Sequence, residues 1–177
     1  MSYFRSKEKR YVCFLGRKLC DEQKHSSDAT FLKELYFQTN FSLNDSVRLG
    51  MTRHVIDASA LLAFLAEEQG SEAVEEALTS ALVSTVNMSE VIAKLLERGM
   101  SEEEVQQVLQ YLNCEVADFT IERAWGTARI YPFTHHQGLS LGDRACLSLA
   151  IEHNLPVITT DRVWGEMDLG VVVNVLR

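Results

Sequence analysis

From Arg53 onward the chain alternates short apolar runs with segments whose apolar residues recur every three or four positions, as in strands followed by amphipathic helices. HVID at 54–57 reads as a buried strand, ASALLAFLAEE at 58–68 as a helix, and SEAVEEALTS at 71–80 as a second helix with its acidic face in water. ALVSTV at 81–86 is the next strand. NMSEVIAKLLERG and SEEEVQQVLQYLN predict a helical hairpin broken at Gly99, with Asn87 and Ser101 as N-caps. EVADF at 115–119, PVITT at 156–160 and VVVNVL at 171–176 supply three further strands. Between the first two of these, TIERAWGTARIYPFTHHQG predicts a helix running into a loop, and LSLGDRACLSLAIEHN a long helix apolar on most of its faces.

Apolar strands separated by helices call for a parallel sheet covered on both faces, an α/β fold. Such sheets place their sites at the carboxyl ends of strands, where strand order reverses. The 177 residues, 46% hydrophobic, amount to about one domain with a proper core. Before Met51 no period is sustained: FLKELYFQTNF makes an amphipathic turn or two, and SLNDSVRLG reads as a loop. A composition boundary falls at the same place. Residues 1–50 carry nine Lys and Arg against six Asp and Glu, whereas residues 51–177 carry eight against nineteen. The acidic body argues against binding nucleic acid by broad charge attraction, although a local basic rim stays open.

No apolar run reaches the 18 or so residues of a membrane span, and MSYFRSKEKR lacks the apolar stretch of a signal peptide, so a cytoplasmic protein with no membrane partner is expected. Cys13, Cys20, Cys114 and Cys146 lack C-x-x-C spacing and are expected to be thiols, the last two in core elements.

Four acids draw notice, and each alone has a structural explanation. Asp57 ends the first strand, where a turn favours an Asp cap. Glu90 stands three residues after Asn87, and Asp143 three after Ser140, as in capping boxes. Asp161 follows the fourth strand and suits the cap of a short helix. Together, however, they fall at strand ends or entering helices, and so project toward one sheet edge. Carboxylates gathered in a crevice repel one another unless a counterion is present. Oxygen ligands without convergent cysteine favour Mg2+ or Mn2+, ions suited to phosphoryl transfer or phosphodiester hydrolysis. The hydroxyls of Ser59 and Thr160 would hold water or phosphate, or only stabilise turns. Arg144 and Arg162 each follow an acid and suit either phosphate contacts or charge balance. Trp164 suits base stacking or, better, the core, and the adjacent His135 and His136 point apart in a polar loop.

The segments HVIDASALLAFL, STVNMSEVIAKL, GLSLGDRACLSLA and PVITTDRVW occur in an order and spacing by which residues 51–177 resemble the PIN-domain ribonucleases, and within them the VapC-like toxins of toxin–antitoxin pairs. The resemblance implies a PIN-like three-layer sandwich with a five-stranded parallel sheet in 3-2-1-4-5 order. It also implies a Mg2+-dependent endoribonuclease whose acidic quartet is Asp57, Glu90, Asp143 and Asp161, with Asp57 and Asp143 ranked first as ligands. An RNA substrate, a cognate antitoxin protein and a toxin homodimer come with it, as does cleavage by metal-activated water that leaves a 5′-phosphate and a 3′-hydroxyl. Residues 1–50 have no counterpart in the family pattern. They are expected to be an extension upstream of the natural start or a poorly ordered tail, with an RNA-holding arm as the rival idea.

Other classes fit less well. Haloacid-dehalogenase phosphatases need a second Asp where this chain has Ser59, and receiver domains need paired acids near the first strand. No G-x-G-x-x-G or G-x-x-x-x-G-K-[ST] occurs. A PIN-like module that binds RNA or protein without turnover is the non-enzymatic alternative.

Overall fold

A computed structural model describes residues 53–168 and 170–176. The expectations for residues 1–50, with Cys13 and Cys20, lie outside the described residues.

Strand β1 (His54–Ile56) is followed by α1 (Ala58–Leu65) and α2 (Ser71–Leu78), then β2 (Ala81–Ser84). Next come α3 (Thr85–Glu97), α4 (Glu102–Leu112), β3 (Glu115–Ala117), α5 (Ile121–Thr134) and a 3-10 turn (His135–Gln137). The chain continues through α6 (Leu141–His153), β4 (Val157–Thr159), a second 3-10 segment (Arg162–Glu166) and β5 (Val173–Val175). The strands form one parallel sheet in the order β3-β2-β1-β4-β5, with Val55 opposite Leu82 on one side and Val157 on the other. This is the α/β sandwich predicted from alternation. Among the described residues, no helix is long and apolar enough to cross a membrane.

The three central strands are buried almost throughout, which explains why they read as continuous apolar runs. Helix α6 buries Ala145, Cys146, Leu147, Leu149 and Ala150. It packs on β1, β2 and β4 and also meets α3 and α5, so few of its faces remain for water. Trp164 is fully buried in the same cluster, so its role is packing.

The helical hairpin starts differently from expectation. Helix α3 begins at Thr85, capped by the Ser84 hydroxyl, which accepts from the Val86 N–H at 3.2 Å. Asn87 therefore lies inside the first turn and is not the cap, and Glu90 takes no part in a capping box. At α4 the expected cap is present: Ser101 and Glu104 form a reciprocal capping box.

Helices α5 and α6 approach closely at Gly126, where an added Cβ would lie 2.5 Å from the Ser148 hydroxyl. Arg123 bridges the same helices with bonds of 2.9 and 3.1 Å to Glu152. Gly126→Ala is expected to lower stability by about 1–3 kcal/mol through overpacking, despite the better helix propensity of Ala. Adding Ser148→Ala should recover most of the loss in urea unfolding, and an uncorrected double variant would rule out this contact as the cause.

Candidate active site

Asp57 leaves β1 in extended conformation and caps α1, and only 3% of it is exposed. Its Oδ2 accepts from the Ser59 N–H at 3.2 Å, the Ser59 hydroxyl, and the Thr159 hydroxyl at 3.1 Å. Its Oδ1 accepts from the Asn87 amide at 3.1 Å. Burial nevertheless pushes the carboxyl up to about 6, with the Ser59 hydroxyl pulling down and the Asp143 charge pushing up. Four donors orient this carboxylate without fully replacing the water it has lost.

The donors come from elements that the topology brings together. β1 lies between β2 and β4, so the order reverses beside it, and Asp57 and Asp161 leave adjacent strands there. Thr159, at the end of β4, donates to Asp57 and accepts from the Asp161 N–H at 3.1 Å, which ties the two acids through one hydroxyl. Ser59 likewise receives the Thr160 N–H at 3.1 Å. Thr159 thus supplies the hydroxyl to Asp57, while Thr160 contributes backbone. Asp161 caps the second 3-10 segment through the Val163 N–H at 3.0 Å.

Asp143 stands in the first turn of α6. Its Oδ2 accepts from the Ser140 N–H at 2.6 Å, and its own N–H donates to the Ser140 hydroxyl, so the capping box coexists with the charge felt by Asp57. Asn87 joins this turn to the strand end, donating to Asp57 and, at 3.3 Å, to the Gly142 carbonyl. Both contacts are acceptors, which fixes the amide orientation and leaves the buried Asn87 Oδ1 without a partner. Glu90 is exposed one turn along α3, and its Oε2 lies 3.0 Å from where a Cβ on Gly142 would be. Glycine at 142 leaves room for that carboxylate.

The contacts link the four acids unevenly. Asp57 senses Asp143, shares Thr159 with Asp161, and is joined to the Glu90 helix through Asn87. Among the described residues, no three His, Cys, Asp or Glu side chains are grouped to hold one ion. The donor set still fits a hard divalent cation. Mg2+ is commonly held by one or two carboxylates with retained waters, and a poorly solvated Asp57 beside Asp143 gains most from a positive charge.

The family model of the PIN domain matches residues 54–169. The chain belongs to the PIN-domain family. Among solved structures, this PIN domain is similar to a chain of the DNA-bound VapBC of Salmonella typhimurium, at 18% identity and TM-score 0.57 over 72% of this chain and 100% of that one. A DNA-bound VapBC2 chain from Rickettsia felis gives 13% identity and TM-score 0.57 over 71% and 100%. A toxin–antitoxin complex of Klebsiella pneumoniae gives 18% and 0.55 over 67% and 95%. At such identities the likeness is one of fold. Comparison with curated proteins finds no match.

Around the PIN-domain site, Cys146 is fully buried, and burial, then the charges of Asp57 and Asp143, hold its thiol well above the ordinary range. It is a packing residue near the acids. Cys114 is half-buried, its thiol pushed up to about 11 by burial. Arg144 donates to the Leu139 carbonyl and lies 5.0 Å from the Tyr131 ring centroid, so it belongs to the α5–α6 junction, whereas Arg162 is exposed. His135 stacks on Tyr131, and the rings of His135 and His136 do not point apart as expected but lie tilted against each other, their centroids 3.6 Å apart. Asn87 and Thr159 are the site residues that sequence reasoning missed.

Proposed function

We propose that this PIN domain is a divalent-metal-dependent endoribonuclease, the toxin of a VapBC-type pair, acting as a homodimer restrained by a cognate antitoxin protein. The observation that carries the reading is Asp57, buried at the strand-order reversal with Asp143 close enough to raise its pKa. Its relatives by fold include VapBC complexes, which supports the partner.

Asp57 and Asp143 would hold the ion, with Asp161 and Glu90 adding negative charge at the rim. A bound Mg2+ or Mn2+ would supply Lewis acidity toward a phosphate oxygen and a lowered pKa for water. The chain's own residues keep the acids aimed. Ser59 and Thr159 donate their protons to one oxygen of Asp57, and Asn87 fixes the other. Ser140 engages one oxygen of Asp143, leaving the second for a cation. Arg144 and Arg162 stand next to acids in the chain, where forked donors suit RNA phosphates.

Incubating the purified protein with total cellular RNA in Mg2+, and mapping new 5′ ends, is expected to yield discrete cuts bearing 5′-phosphates that disappear with chelator. Cuts that persist in chelator would exclude the metal. RNA bound but uncut in both Mg2+ and Mn2+ would favour the binding module.

A further inference from the structure

We infer that the hollow between α5 and the first turn of α6 seats one unpaired nucleobase of the RNA beside the scissile phosphate; this rests on the nuclease reading above. A cavity of about 370 Å³ lies there, lined by Phe119, Thr127, Ala128, Tyr131, Leu141 and Arg144 among others. Leu141 and Arg144 bracket Gly142 and Asp143, so an occupant sits within a nucleotide's reach of the acid.

The walls suit a flat heteroaromatic with a polar edge. Tyr131 and Leu141 are each about half exposed, and because His135 stacks on the Tyr131 ring and Arg144 lies over it, a base would join that stack or take the place of one of these neighbours. Arg144 is positioned in advance by the Leu139 carbonyl and the Tyr131 ring, and its remaining N–H groups suit base carbonyls and ring nitrogens. Thr127 is 3% exposed, and its hydroxyl has no hydrogen-bond partner. An unpaired buried hydroxyl is costly, and Thr127 lines the hollow, so a shift of its side chain toward a base edge would supply the missing partner.

Charge points the same way. Among the described residues lining this hollow, Arg144 is the one charged side chain. The surrounding body is acidic, so phosphate contacts are scarce, and stacking has to supply affinity that Lys and Arg supply elsewhere.

The test uses the full chain in Mg2+ and short single-stranded RNAs built around a mapped cut, each with one nucleotide made abasic. For the parent, removing one base next to the cut should lower kcat/KM roughly ten-fold, the scale of one lost base–aromatic stack. Tyr131→Ala should raise KM for the complete RNA by about the same factor with kcat nearly unchanged, and abolish discrimination against that abasic RNA. Tyr131→Phe, which keeps the ring, should restore both. A parent that cuts no RNA overturns the nuclease reading and this one with it. A parent that cuts, with abasic RNAs handled like complete ones or with parental KM in Tyr131→Ala, overturns the base pocket alone. If Tyr131→Ala keeps parental KM but loses self-association on gel filtration, the hollow belongs to a second copy of the chain.

Discussion

Asp57→Asn and Asp143→Asn are each expected to lower RNA cleavage in Mg2+ at least roughly a hundred-fold, the scale of removing one preorganised electrostatic contact to reacting phosphate. The substitutions remove charge with little change of shape. At Asp57 the amide oxygen can still accept from Ser59 and Thr159, while its NH2 meets the Asn87 NH2, donor against donor. At Asp143 the amide oxygen can still accept from the Ser140 N–H and preserve the cap of α6. Circular dichroism should show folded proteins in both cases, so lost cutting would report lost chemistry. Glu152→Gln, an equal charge change at the exposed Arg123 pair, serves as control and should cut like the parent. Initial rates on a mapped RNA decide the matter: two acid variants as fast as the parent would end the assignment of Asp57 and Asp143.

The acids could be located in the sequence because each follows or precedes an apolar run of strand or buried-helix type, and in parallel sheets that position is itself spatial information. Asp57 after HVI and Asp161 after VIT fall at adjacent strand ends for that reason. Asn87 was hidden by a degeneracy of local pattern. N-x-x-E before an apolar period looks like a capping box, while the working cap, Ser84, sits in ALVSTV, whose β-branched residues read as strand to Val86. Only the packing of α3 against α6 shows that the amide serves Asp57 and Gly142. Thr159 is the last, buried residue of β4 and Thr160 the first, half-buried one beyond it. Which threonine turns its hydroxyl to Asp57 therefore depends on where the strand ends, a boundary that PVITT does not mark. The hollow between α5 and the first turn of α6 had no sequence signal, because it depends on how Tyr131, Leu141 and Arg144 come together across the two helices.

Without metal, Asp57 should make the folded protein less stable as pH rises from about 4 to about 6. Its carboxyl titrates at about 6 in the fold against 3.8 for the free group, chiefly because burial disfavours the charge. Between those values the folded state holds a proton that the unfolded chain has released, so stability falls with increasing pH. The contribution is fully present below the unfolded value and gone above the folded one. The gap between the folded and free values corresponds to about 3 kcal/mol. Other carboxylates act in the opposite sense: Glu97, Glu122 and Glu152 are exposed and held below their ordinary range by local hydrogen bonds. The informative quantity is therefore parent minus Asp57→Asn, from urea unfolding in chelator between pH 4 and pH 7. That difference should decline through the window and then level off. Added Mg2+ should reverse it near pH 7, because a bound cation favours the ionised carboxylate and stabilises the parent more than the amide variant. Parallel curves for the two proteins would mean that Asp57 carries no desolvation cost in the fold, and the electrostatic reason for a cation at this strand end would be lost with it.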